Sequence, residues 1–450
     1  MPTNANWQET DEKGVFSRPV GENETFIKLI GDTGLPLNRE HWAINSTATI
    51  VPTGSLASAD LAAHFRRAWA HLRFQHPSLA AEAAPGDDKR FIYTVPADGT
   101  ALDGWLSKTF SVATSTSSSA DVILDFHPTP YAKLVYIPRS GELLGHTAHW
   151  RSDGIGAVLL LDALLAIASS SLELTDPAAL AWGTEITRLA PAVEYAAAMP
   201  EKPTPELKER AGSFVGTFSQ AVGAIGIPYL GDTGTLPAGT RSTAPVLSQE
   251  VTEQIVAACK ARDVTVTAAA HASVAGANYA LADAAAKDKH YTSTVRFSLR
   301  QHLLEPYSTP AFAAGLYTTG WMKHEYRKGI TPEFLESHRE YAAQLTALIR
   351  NMPQGGGEQP PSDVDISSLG IAEKLIRRSY GTSETGFEVK AISIGVEILN
   401  QQAVTFVWTF RGQLHLSAVY NESFHSADQM SLFVHTVKTQ LLEGLGIHDS

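Results

Sequence analysis

The sequence predicts an α/β protein built as two domains, each a mixed sheet flanked by helices. Three observations lead there. The chain has 450 residues, too many for one ordinary core and suited to two domains of about 200 residues each. In both halves, amphipathic helical stretches alternate with short β-like runs. Between the halves, residues 200–247 are rich in proline, glycine and threonine and read as a linker. That places one domain at 1–199 and the other at 248–450.

Composition narrows the class. Apolar residues make up 44% of the chain and mean hydropathy is near zero, as in a soluble globular protein. A net charge of −12 leaves no basic excess to displace counterions, so nucleic acid is not an expected partner. A local basic pocket for a phosphorylated co-substrate remains compatible with it. Cys259 is the single cysteine, which excludes an intramolecular disulfide framework and fits a reducing compartment. The opening MPTNANWQETDEKG lacks the charged-then-apolar pattern of a secretory leader. The most apolar run, Ala157 to Ala168, is interrupted by Asp162 and too short for a bilayer. A cytoplasmic protein without membrane contact is expected, with the sequons at Asn23, Asn45 and Asn421 idle.

Taken in order, residues 1–40 are polar and glycine-rich and should wrap on the surface before a first strand near Ala43–Val51. The next element is a helix, Ser58 to Phe74, with Leu61, Phe65, Ala68 and Leu72 on one face; His76-Pro77-Ser78-Leu79 stops it. β-like runs follow at Phe91–Val95, Val122–Phe126, Lys133–Ile137 and Glu142–His149, then an apolar helix Ile155–Ser169. The second half opens with a helix Ser248–Arg262 and an alanine-rich helix through Asp283, then a strand Ser293–Leu299. A loop Gly315–Gly320, a capped helix from Thr331-Pro332 to Arg350 and a Gly/Pro-rich loop Pro353–Pro361 come next. The runs Val389–Leu399, Ala403–Phe410 and Gln413–Tyr420 read as a β-meander, and Ser426–Leu445 as a closing helix.

The stretch with chemistry in it is Gly145 to Ala157, GHTAHWRSDGIGA. His149 and Asp153 stand four residues apart, with Gly154 directly after, where a strand gives way to a helix. Asp153 is placed to cap that helix, and Gly154 to allow a tight path into it. An imidazole here can take the proton of an alcohol or amine attacking an acyl carbonyl, then return it to the leaving group. The carboxylate either orients the ring or shapes the loop by pairing with a cation elsewhere. Other chemistries lack their motifs: no GxxxxGK[ST], GxGxxG or GxSxG is present. His324-Glu325 is followed by Lys328 where HExxH needs histidine, so no metal site is expected.

His149-Trp150-Arg151-Ser152-Asp153-Gly154 resembles the HxxxDG signature of the chloramphenicol acetyltransferase-like superfamily, which holds BAHD and trichothecene-type O-acyltransferases and peptide-synthetase condensation domains. Four further stretches resemble it in order. They are the helix followed by His76-Pro77-Ser78-Leu79; Trp182-Gly183-Thr184-Glu185 with Arg188-Leu189 and Pro191, as in fungal members; Thr265 to Ala275 around His271; and Leu299-Arg300 at the end of a strand. The resemblance implies two chloramphenicol acetyltransferase-like α/β domains with a channel between them, donor and acceptor entering from opposite faces. It implies His149 as catalytic base, with Asp153 as its catalytic partner. Gly154 would shape the loop, and Arg300 would pair with Asp153 across the domain interface.

The pattern departs from the superfamily in two places. Condensation domains carry a second histidine directly before the catalytic one; here that residue is Ala148, which favours a free-standing acyltransferase. His146 reads as structural, as does His271 on its apolar helix. The DFGWG motif of plant BAHD enzymes is absent. The expected activity is transfer of acetyl or another short acyl group, from acyl-CoA as co-substrate, to a hydroxyl or amine of a small specialised metabolite. No cofactor is bound permanently, and a monomer is expected. The alternatives are a condensation-like or cyclase enzyme on the same fold, using a carrier-protein thioester or no acyl donor, and a non-catalytic binding protein.

Overall fold

Two six-stranded mixed sheets organise the chain. The computed structural model describes residues 7–84, 87–171, 173–232, 234–322, 330–351, 362 and 364–447; the loop read at 353–361 lies outside them apart from what flanks it. In the first sheet the strands run Ser379–Gly381, Thr385–Val396, Ile44–Gly54, Glu142–Thr147, Lys133–Ile137 and Phe110–Val112, antiparallel except for the last pair. In the second they run Thr318–Met322, Thr294–Ser298, Val364–Ile371, Ala403–Phe410, Gln413–Asn421 and Thr240–Thr243. Its three central strands, Thr294–Ser298, Val364–Ile371 and Ala403–Phe410, are parallel. A four-stranded sheet that includes Val15–Pro19 and Asp87–Thr94 lies beside them.

Helices Leu61–Gln75 and Gly154–Ser170 cover the first sheet, and His64 Nε2 meets Ala168 O at 2.7 Å to tie them together. Helices Gln249–Ala261, Val266–Leu281 and Ala427–Leu445 cover the outer face of the second sheet. The strand Ala403–Phe410 shows how two cores share one sheet. Its alternate side chains Val404, Phe406, Trp408 and Phe410 join the first core, while Ala403 and Val407 join the second.

Several elements depart from the sequence reading. The meander is not formed: Thr385–Val396 leaves the second sheet and pairs along the whole of Ile44–Gly54, from Thr385↔Gly54 to Val396↔Ile44. Alternation identified the strand, but it carries no information on which sheet receives it. Val122–Phe126 is not a strand; Ser118 caps a short helix, Ser119–Ile123. The loop at Gly315–Gly320 runs into the edge strand Thr318–Met322. Residues 1–40 contain the helix Glu22–Asp32, started by Glu24 accepting from Gly21 N at 2.9 Å. The stretch 200–247 holds the helix Pro205–Gly216, packed on Pro332–Arg350, and the edge strand Thr240–Thr243. Asn23, Asn45 and Asn421 are all buried, so none presents a sequon to solvent. Among the described residues no helix is long and apolar enough to cross a membrane.

Candidate active site

His149 leaves the strand Glu142–Thr147 in a turn, and Asp153 caps the helix Gly154–Ser170 by accepting from Gly156 N at 2.8 Å. The residues between them are anchors. Trp150 stacks on Phe91 with centroids 4.5 Å apart, and the buried Arg151 lies over Trp150 while donating to Ala81 O at 2.9 Å. Ser152 Oγ donates to Ala313 O at 3.1 Å. With its neighbours turned into the core, the imidazole is left on the cavity wall.

Asp153 does not orient the ring. Oδ1 holds the helix start; Oδ2 accepts from Arg300 Nη2 at 3.0 Å and from Tyr317 N at 2.9 Å. Arg300 Nη2 also reaches Ala313 O and Gly315 O, both at 3.2 Å. The Asp153–Arg300 pair is therefore a buried clamp that fastens the loop 313–317 of the second half to the motif helix, with side chains 4% and 10% exposed. Of the two uses expected for the Asp153 carboxylate, the contacts match the second: both oxygens are taken by the helix start and by partners elsewhere in the chain. Gly154 has an ordinary backbone, and a Cβ there would meet Ile394 Cδ1 at 3.0 Å. The glycine that space demands is Gly156, where a Cβ would collide with Ala313 O and Ser152 Oγ and stand 2.7 Å from Arg300 Nη2.

His149 lines a cavity of about 560 Å³ between the two sheets. Ile44, Ile394 and Val396 of the first sheet form one wall; Thr294, Arg296 and Phe406 of the second form the other. The helices Glu22–Asp32 and Pro332–Arg350 contribute Phe26, Ile27, Leu345 and Ile349. His149 Nδ1 is buried with no hydrogen-bond partner. Burial lowers the pKa of the ring, with Arg296 pushing the same way, while its own backbone carbonyl and Asp153 oppose the shift. A cleft of about 590 Å³ on the far side of the motif helix, by His76, Asp162 and Arg377, is of similar size but does not include His149.

His146 and His271 take packing positions. His146 Nδ1 meets Asn45 Oδ1 at 2.8 Å, and burial pushes its pKa down to about 3. His271 is buried beside Tyr291 OH at 3.2 Å. Three residues of the cavity wall escaped the sequence reading. His41 Nδ1 accepts from Leu399 N at 3.1 Å, and burial pushes its pKa to about 3, which assigns the ring proton to Nε2. Trp42 stacks on His41 with centroids 5.4 Å apart and stands 6.4 Å from His149, at a backbone φ of 64°. For a bulky side chain this is a strained conformation of the kind that gathers at functional sites. Arg296 lies over the Trp42 ring, 4.9 Å from its centroid. Nothing in the sequence around 41, 42 or 296 marks them. Among the described residues no group of three or more His, Cys, Asp or Glu is arranged to hold a metal ion.

Comparison with solved structures places this architecture. Trichothecene 15-O-acetyltransferase TRI3 from Fusarium sporotrichioides superposes with a TM-score of 0.79 at 17% identity, over 97% of each chain. The first condensation domain of the CDA synthetase superposes at 0.59 and 13% identity, over 93% of this chain and 95% of that one. The fold is thus the two-domain chloramphenicol acetyltransferase-like α/β fold. No protein-family model matches the chain. Acetyltransferase pigO of Monascus ruber is 41% identical over 462 aligned residues, covering 98% of this chain and 99% of that protein. O-acetyltransferase pigM of the same organism is 30% identical over 467, covering 98% and 87%. The chain belongs to this family of fungal acetyltransferases, and it is an acyltransferase.

Proposed function

We propose that the chain acetylates a hydroxyl of a small, largely apolar metabolite, with acetyl-CoA or another short acyl-CoA as donor and His149 as general base. The observation that carries this reading is the position of His149: its ring stands on the wall of a mainly apolar cavity with Nδ1 sealed in the protein. Nε2 is then the nitrogen that meets the substrate. It takes the hydroxyl proton as the alcohol oxygen attacks the thioester carbonyl, giving a tetrahedral oxyanion. Collapse breaks the C–S bond, and the imidazolium returns the proton to the departing thiolate. Burial favours the neutral ring, the form that can accept a proton. The activities for which the relatives are named support O-acetyl transfer, and a third relative, azaphilone biosynthesis cluster protein M of Aspergillus terreus, supports a place in specialised metabolism.

The test is release of free thiol from acetyl-, malonyl- and longer acyl-CoA, in the presence and absence of a pool of alcohols and amines. Acceptor-dependent release by the wild type that disappears in His149→Ala is the expected result. Full transfer by His149→Ala would remove the base assignment. Transfer from a carrier-protein thioester with none from acyl-CoA would remove the donor assignment.

A further inference from the structure

Of the described residues that line the cavity, Arg296 is the one cation. It stands on the strand Thr294–Ser298 and is held in two places: Nη2 donates to Asp365 Oδ2 at 2.6 Å, and the guanidinium lies 4.9 Å from the centre of Trp42. Asp365 is held in turn by Thr294 N at 3.0 Å and Ser293 Oγ at 3.3 Å. The Trp42 main chain is fixed by its backbone N–H, which donates to Glu397 O at 2.7 Å. Both supports of the guanidinium are therefore rigid.

A guanidinium has five N–H donors. Among the described residues only Nη2 of Arg296 is engaged, and its side chain is 29% exposed on the cavity wall. The charge is already matched by the buried Asp365 carboxylate. A second anion here would leave a net negative charge away from water, which is costly. A neutral carbonyl oxygen accepts from the same donors without that cost.

Resting on the reading of this cavity as the acceptor site, we propose that Arg296 is a specificity-determining residue. It donates to a neutral carbonyl oxygen on a predominantly apolar, hydroxylated acceptor and so aims the hydroxyl at His149. The same chemistry could come from an amide carbonyl of the thioester donor, so the experiment separates the two.

Calorimetric titration with 1-tetralone and with tetralin tests binding alone, because neither has a hydroxyl to acylate. Wild type and His149→Ala are expected to bind the ketone about tenfold more tightly than the hydrocarbon. Arg296→Met should lose that preference while its affinity for tetralin stays within about twofold. Arg296→Lys should keep part of it, as a single donor on a flexible stem. If Arg296→Met fails to fold, Asp365→Asn provides the second variant: it removes the offsetting charge and should shift preference toward tetrahydronaphthoate. Absence of any ketone preference in the wild type, its retention in Arg296→Met, or a loss in Arg296→Met confined to acyl-CoA binding would each overturn the proposal. Activity retained by His149→Ala would strike at the base assignment and leave these binding results untouched.

Discussion

The two ends of the motif, four residues apart, sit in opposite environments. At Asp153 both carboxylate oxygens are used, by a helix N-terminus, an arginine and a backbone N–H of the second half. At His149 the buried Nδ1 has only the residue's own carbonyl beside it, and the ring faces a cavity. A carboxylate with both oxygens engaged inside the protein holds the fold; a ring that borders open space is available to a substrate. Identity of residue type does not separate the two roles in such motifs, whereas hydrogen-bond accounting does.

Substitution at either end should therefore affect different quantities. His149→Ala is expected to lower acceptor-dependent transfer about 10³-fold, read as kcat/KM, while stability changes by less than about 1 kcal/mol. Arg300→Met leaves Asp153 buried without its cation and should destabilise by about 3–5 kcal/mol in denaturant titration. The double variant Asp153→Asn/Arg300→Met should cost less than the sum of the two single changes, since the pair is lost only once. Gly156→Ala should cost about 1–3 kcal/mol, because the added methyl meets backbone and the clamp arginine. Gly154→Ala meets only the end of Ile394 and should cost less, by the same measurement.

The smallest effects concern pH. The lowered pKa of His149 keeps the ring neutral further into acid, so with His149 as the proposed base the acid limb of kcat/KM should fall below the 6.5 of an ordinary imidazole. Stability follows other groups. His41, His146 and His338 are pushed to about 3 by burial, so the unfolded chain binds more protons below 6.5 and stability is lost as pH falls from there. Glu40 and Glu194 are pushed up to about 7, again by burial first. Their contribution is present below the ordinary carboxyl value of 4.5 and is lost as pH rises through 7. Glu194→Gln should flatten the decline between pH 4.5 and 7 in urea titrations.

Elements whose signals are local were legible in the sequence. The strand Lys133–Ile137 has the bounds its apolar run gives, and Ser248, Asp153 and Ser426 cap the helices expected to follow them. Leu299-Arg300 led to the clamp only through family resemblance, because nothing in the spacing links Arg300 to Asp153. What stayed hidden depends on distant partners. Thr385–Val396 alternates like any half-buried strand, yet its place is set by the edge of Ile44–Gly54. Arg296 is one charge on a strand until Trp42 and Asp365 fold around it. The helix Glu22–Asp32 starts at a glycine instead of a serine or aspartate, so its onset carried a weak signal.

The strand Thr385–Val396 also bears on the birth of the protein. On the ribosome, Ile44–Gly54 can pair with Glu142–Thr147 early, but its other side has no neighbour until residue 396 has emerged. At about 5–20 residues per second that interval is roughly ten to fifty seconds. Throughout it the nascent chain carries a long, uncharged open edge of the kind that recruits stray strands. Yield in a heterologous host should thus depend on chaperones that shield this edge, and on a translation rate that shortens the wait.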